Sequence, residues 1–152
     1  MDAFLSALVL VASLVCPASN AAADGTTRSF KEHTGSVLAV MFSPDGKMLA
    51  TSSRDGSIRL WNPQTGRSDL MSSKHDGDIY TVVISPGSDV LASAGKDATV
   101  ILWNNAGEVL RTLKEHTDIV RSAAFSSDQK TLASVSVDRT VCASGAWWKR
   151  RP

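Results

Sequence analysis

Apolar and polar residues alternate in short runs along most of the chain, and the runs come back in the same order. Val37, Val40 and Phe42 mark the first run, Ile79, Val82 and Ile84 a second, and Val120, Ala123 and Phe125 a third, each predicting a half-buried β-strand. The turn signals Ser43-Pro44-Asp45-Gly46, Ser85-Pro86-Gly87 and Ser126-Ser127-Asp128 end these runs, because Pro presets φ and Gly tolerates a positive φ. Second strands are expected at Met48 to Ser53, Val90 to Ala94 and Thr131 to Ser136. A tight turn carrying Asp then leads to third strands at Ser57 to Trp61 and Thr99 to Trp103. No segment beyond an apolar leader sustains helical periodicity, so the pattern predicts an all-β meander of short antiparallel strands.

The recurrence has a fixed period. His33, His75 and His116 lie 42 and 41 residues apart, Asp55, Asp97 and Asp138 repeat those intervals, and Trp61 and Trp103 are 42 apart. Such spacing falls in the roughly 40–45 residues of one propeller blade. His, Ser/Thr, Asp and Trp recurring in fixed order resemble the WD-repeat β-propeller family over Arg28 to Val141. The resemblance implies four-stranded blades in which these residues form a buried hydrogen-bond network: His33, Thr51, Asp55 and Trp61 in one set, His75, Ser93, Asp97 and Trp103 in the next. The third set keeps His116, Ser134 and Asp138, but position 144 is Ser where Trp belongs. Chemistry gives the set its reason, since a buried Asp needs donors and imidazole N–H, hydroxyl and indole N–H are donors. A Ser-His-Asp trio that recurs in every block suits a repeated fold device better than one active site. The three histidines belong to three different blades, which argues against a metal site, and no cofactor is implied.

The chain also departs from the family pattern. Glu32, Lys74 and Glu115 precede the histidines where the family usually has Gly, and Asn62 and Asn104 follow the tryptophans where it has Asp. In the third block the third strand is expected to fail and the fourth to be absent. At the other end, Arg28 to Phe30 aligns with the start of Arg111 to Thr117 and is expected to be an orphan outer strand. The expected architecture is therefore an incomplete, open propeller of about two to three blades, whereas closure takes roughly four to eight. Open blades expose inter-blade faces and strand edges, which calls for self-association, a partner chain or membership of a longer propeller.

By the same resemblance, the residues three and five after each His, and the one before each Asp, face a partner. They are Ser36, Leu38 and Arg54, then Asp78, Tyr80 and Lys96, then Ile119, Arg121 and Val137. Tyr80 and Arg121 are the preferred anchors, because Tyr and Arg combine contact area with hydrogen bonding. Arg54 and Lys96 make this face lean basic, which favours an acidic peptide or protein ligand.

Composition narrows the functional classes. With 16 Lys plus Arg against 15 Asp plus Glu in 152 residues, charge gives no case for nucleic-acid binding. Two cysteines, Cys16 and Cys142, without CxxC spacing argue against a disulfide framework or zinc site. Residues 1–23 form an apolar leader with small-residue cleavage sites at Ser19-Asn20-Ala21 or Ala21-Ala22-Ala23, although Asp2 stands where a positive charge is expected. The apolar run Ala3 to Cys16 is shorter than the roughly 20 residues of a stable membrane span. Cleavage implies a secreted or periplasmic protein, and retention a cytoplasmic one. Residues 142–152 read as an irregular tail mixing Trp147 and Trp148 with Lys149, Arg150 and Arg151. The leading functional expectation is a non-catalytic protein–protein interaction scaffold. The alternatives are a truncated fragment of a longer WD-repeat protein with no independent function and an extracytoplasmic propeller enzyme.

Overall fold

A computed structural model describes residues 28–71 and 74–145, so the leader and the Trp147 to Arg151 tail lie outside the described residues. The described chain contains eleven strands and no helix, and the fold is all-β. The first sheet holds β1 (Val37–Phe42), β2 (Leu49–Ser53), β3 (Ile58–Trp61) and β4 (Ser68–Met71) in sequence order. The second holds β5 (Ile79–Ile84), β6 (Val90–Gly95), β7 (Val100–Asn104) and β8 (Val109–Leu113), again in order. The third holds β9 (Val120–Phe125), β10 (Leu132–Ser136) and β11 (Val141–Ser144). All pairings are antiparallel, as connections of a few residues require.

The three sheets stack in series, and their faces make two cores. In one, Ala50, Ile58 and Leu60 of the first sheet meet Ile79, Val82, Ile84, Leu91, Ile101 and Trp103 of the second. In the other, Val90, Ala92, Ala94, Val100, Leu102 and Leu113 of the second meet Val120, Ala123 and Leu132 of the third. The middle sheet is thus covered on both sides, which is why β6 and β7 read as nearly continuous apolar runs. Each fully buried Leu, Ile or Val contributes roughly 1.5–3 kcal/mol relative to exposure. The expectation of half-buried first strands holds unevenly, because burial depends on the neighbouring blade. β5, with a sheet on either side, is mostly buried, whereas β1 alternates between exposed and half-buried positions.

Two expectations at the ends of the series need correction. The third strand of the third block does not fail: β11 pairs with β10 from Val135↔Val141 to Leu132↔Ser144. The ladder is made by backbone groups, so the missing Trp does not prevent the strand. Conversely, Arg28 to Phe30 is not a strand. Without a preceding sheet among the described residues it has no ladder to join. Instead Arg28 donates to the carbonyl oxygens of Pro63 and Gln64, and Phe30 packs on Trp61 with ring centroids 5.1 Å apart.

Turn geometry repeats more faithfully than turn sequence. After the first strand of each blade, Gly46, Ser88 and Gln129 take φ of 70°, 59° and 59°, and after the second, Gly56, Ala98 and Arg139 take 75°, 62° and 71°. Only the first blade places Gly at both left-handed positions, and an L-residue with a Cβ is disfavoured there. Ala98→Gly is expected to raise unfolding stability by about 0.5–1 kcal/mol, read as a higher urea midpoint at unchanged slope.

Candidate functional site

Each blade carries the expected polar set, and the atoms form a directed relay. In the first blade Trp61 Nε1 donates to Thr51 Oγ1 (2.8 Å), Thr51 Oγ1 lies 2.8 Å from His33 Nε2, and His33 Nδ1 lies 3.0 Å from Asp55 Oδ2. In the second, Trp103 Nε1, Ser93 Oγ, His75 and Asp97 follow at 2.8, 2.7 and 2.9 Å. A carboxylate can only accept, which assigns the imidazole proton to Nδ1 and leaves Nε2 to accept from the hydroxyl. Every polar atom in the chain Trp→Ser/Thr→His→Asp is then satisfied with a neutral imidazole. The indole N–H serves the hydroxyl rather than the Asp, so the expectation that it supplies the carboxylate directly is corrected.

Other donors serve the Asp. Ser57, Thr99 and Thr140, each two residues on, donate hydroxyls to Asp55, Asp97 and Asp138 at 2.5, 2.9 and 2.6 Å, and their own backbone N–H groups bind the same carboxylates. The N–H of the residue after each His, Thr34, Asp76 or Thr117, binds the other oxygen. Sequence reasoning missed this hydroxyl. The signal was present, as Asp-x-Ser/Thr occurs in all three blocks.

Electrostatics follow from these contacts. Burial works to raise the Asp55 pKa, but hydrogen bonds from Ser57, His33 and Thr34 outweigh it and hold the carboxyl below its ordinary value. Burial opposes the Asp97 charge likewise, and His75, Thr99 and the Asp76 N–H overcome it. For Asp138 the Thr140 hydroxyl is the largest cause, acting against burial, and again the pKa is lowered. His75 moves down because burial of its ring outweighs attraction to Asp97.

The third blade keeps His116 bonded to Asp138 (2.9 Å) and Ser134 (2.9 Å), but Ser144 occupies the Trp register and gives Ser134 no indole donor. A cavity of about 10 Å³ remains there, lined by residues including Leu132, Ser134, Val100, Leu113 and Ser144. Cys142 Sγ lies 3.9 Å from His116 Nδ1 beside it.

The nine partner-facing candidates gather on one rim of each blade. A backbone bond ties the residue before each Asp to the residue three after each His: Arg54 N to Ser36 O, Lys96 N to Asp78 O, and Val137 N to Ile119 O, at 2.9, 2.8 and 2.9 Å. Between Val37↔Ser53 and Ala39↔Ser52 the register skips Leu38; the equivalent skips fall at Tyr80 and Arg121. These are β-bulges, which leave one residue unpaired and re-aim its side chain. Tyr80 and Arg121, on neighbouring blades, meet there, with the guanidinium carbon 4.5 Å from the ring centroid. Arg54 reaches Asp78 at 3.6 Å, and Tyr80 Oη approaches the same carboxylate at 3.5 Å. Part of the basic character expected of this rim is therefore offset, which leaves Lys96 and Arg121 as its exposed cations without a carboxylate partner among the described residues, beside Arg54, which is exposed but paired with Asp78.

Antiparallel meanders of four, four and three described strands stacked face to face, each carrying the same His–Asp pair, define a series of propeller blades. The profile of the WD domain, G-beta repeat, matches residues 24–62, 68–104 and 107–143, and the chain belongs to the WD-repeat family. Over 40 residues it is 45% identical to serine-threonine kinase receptor-associated protein of Homo sapiens, a stretch covering 26% of this chain and 11% of that protein. It is 48% identical over 40 residues to Protein Mut11 of Chlamydomonas reinhardtii, covering 26% and 11%. It is 50% identical over 38 residues to ribosome biogenesis protein ERB1 of Debaryomyces hansenii, covering 25% and 5%. The matched stretches thus span about a tenth or less of these relatives. Among solved structures, that of U3-55K superposes with a TM-score of 0.75 at 25% identity, covering 78% of this chain and 38% of that one. The RRP9 WD40 repeats give 0.73 at 26% identity with the same coverage.

Two predictions follow from the relay. A folded-state pKa held below the unfolded value gives stabilisation that is complete above the unfolded pKa and lost as pH falls. Urea midpoints are expected to decline below about pH 6.5 as His75 resists protonation, and again below about pH 4 as the Asp side chains do. Asp97→Asn should make the lower stage shallower, with Asp55 and Asp138 still contributing. Ser144→Trp returns an indole to the third relay and is expected to stabilise by on the order of 1–2 kcal/mol, measured by chemical denaturation.

Proposed function

We propose that the chain is a non-catalytic protein-interaction scaffold whose partner docks on the rim of bulge residues and favours acidic groups. The observation that carries this reading is the Arg121–Tyr80 stack. An exposed guanidinium lies over an aromatic ring across a blade junction, on residues that a bulge frees from sheet pairing. Arg and Tyr of this kind are the usual anchors of interfaces, and the guanidinium donates two parallel hydrogen bonds to a carboxylate. Lys96 extends the cationic side of the rim, while Ser36, Leu38, Ile119 and Val137 offer polar and apolar contacts beside it.

The relay supports the absence of catalysis. In the first two blades its hydroxyls are committed to both an indole and an imidazole, and Ser93 and the His75 side chain are fully buried. A nucleophile needs access to substrate, and these have none. The exposed valines of the first and third blades support the further expectation that the open blade faces are covered, by self-association or by another chain.

Titration of fluorescent Asp/Glu-rich peptides against the chain, with charge-neutral scrambles as controls, tests the rim. Arg121→Ala and Tyr80→Ala are each expected to weaken binding of the acidic peptides about tenfold, and added salt to weaken it further. Binding unchanged in both variants sinks the proposed rim.

A further inference from the structure

Among the described residues one kind of interface is built twice, and the two outer sheets present the two halves of a third. Between blades, the first strand of one sheet packs on the first two strands of the sheet before it: β5 on β1 and β2, and β9 on β5 and β6. The advancing side of the inner junction is Ile79, Val82 and Ile84, and the receiving side includes Ala50, Ile58 and Leu60. One repeat earlier, the advancing residues are Val37, Val40 and Phe42. Val40 and Phe42 are 63% and 56% exposed, although their counterparts Val82 and Ile84 are each 2% exposed. One repeat later, the receiving residues are Ala133, Val135, Val141 and Ala143. Val141 is 70% exposed, although its counterpart Val100 is 2% exposed. The face is not wholly apolar, since Arg59 stands where the second blade has Ile101, but it turns its guanidinium to Glu32 and Ser68.

We infer that a second copy of this chain covers both faces head to tail, with β1 of each copy seated on β9 and β10 of the other to close a two-chain ring. The chemistry of the two faces carries this. Each is the register equivalent of a surface the chain already packs against the other kind, so the pairing continues an interface seen twice inside the molecule. The three sheets of the described residues, taken from each of two copies, make a ring of six, within the roughly four to eight that close a propeller. Two different faces joined by a two-fold rotation leave neither exposed, whereas an unclosed series would grow without limit. The inference goes beyond the scaffold reading and uses residues that the rim does not.

Light scattering coupled to size exclusion on the full chain is expected to give twice the mass of one copy. Val40→Asp and Val141→Asp alter exposed side chains on opposite faces. Each alone should give a monomer with the parent circular-dichroism spectrum, and an equimolar mixture should recover the dimer, because one intact junction remains between them. Phe42→Gln and Val135→Gln, milder changes on the same faces, should give the same pattern if either Asp variant fails to fold. A monomeric parent overturns the inference. So does a dimer that Val40→Asp breaks and Val141→Asp leaves intact, which marks pairing of like faces, and so does growth beyond two copies. Loss of peptide binding with the dimer intact sinks the rim and leaves the ring standing.

Discussion

Every blade is a thin sheet with two faces to cover, and that requirement governs the rest of the molecule. A sheet flanked on both sides, like the middle one, can fill its strands with Val, Leu, Ile and Trp and bury nearly all of them. The same sequence pattern at the end of the series leaves Val40 and Val141 in solvent. Burial here is a property of position in the stack more than of the residue, as expected where each repeat contacts only its neighbours.

Stacking covers the faces of the sheets, and within each blade the polar relay fixes how the entering chain sits on its own sheet. His33, His75 and His116 sit before their blades' first strands, and each is tied to the second strand through Ser/Thr and to the tight turn through Asp. Because an unsatisfied buried polar atom costs far more than a satisfied one gains, each member of the relay depends on the partners that remain to it. The third blade shows the graded consequence. Losing the indole leaves a small cavity and one fewer donor, while the imidazole–carboxylate pair and the β11 ladder persist.

Much of this was legible in the sequence because it repeats. Period, strand order and the membership of the relay all follow from residues recurring at 42 and 41 positions. The partners inside the relay were less legible: indole to hydroxyl, and Ser57, Thr99 and Thr140 to Asp, depend on which side of the strand each atom falls. The third strand of the last block was misjudged because its side-chain signal, Trp, was absent while its backbone pairing was not. Arg28 to Phe30 erred the opposite way, since its sequence resembles β8 but it has no strand to pair with among the described residues. Neither the bulges nor the exposure of β1 leaves a local mark, as both arise from how one chain segment meets another.

The bulges separate two kinds of obligation along a single strand. Residues on either side of Leu38, Tyr80 and Arg121 must satisfy the ladder and the core. The skipped residue answers to neither, and an aliphatic, an aromatic and a cationic side chain already occupy equivalent places without disturbing the sheets. Such a position can be rewritten freely while the frame stays constant, so a change of partner would require editing a few letters that folding does not read.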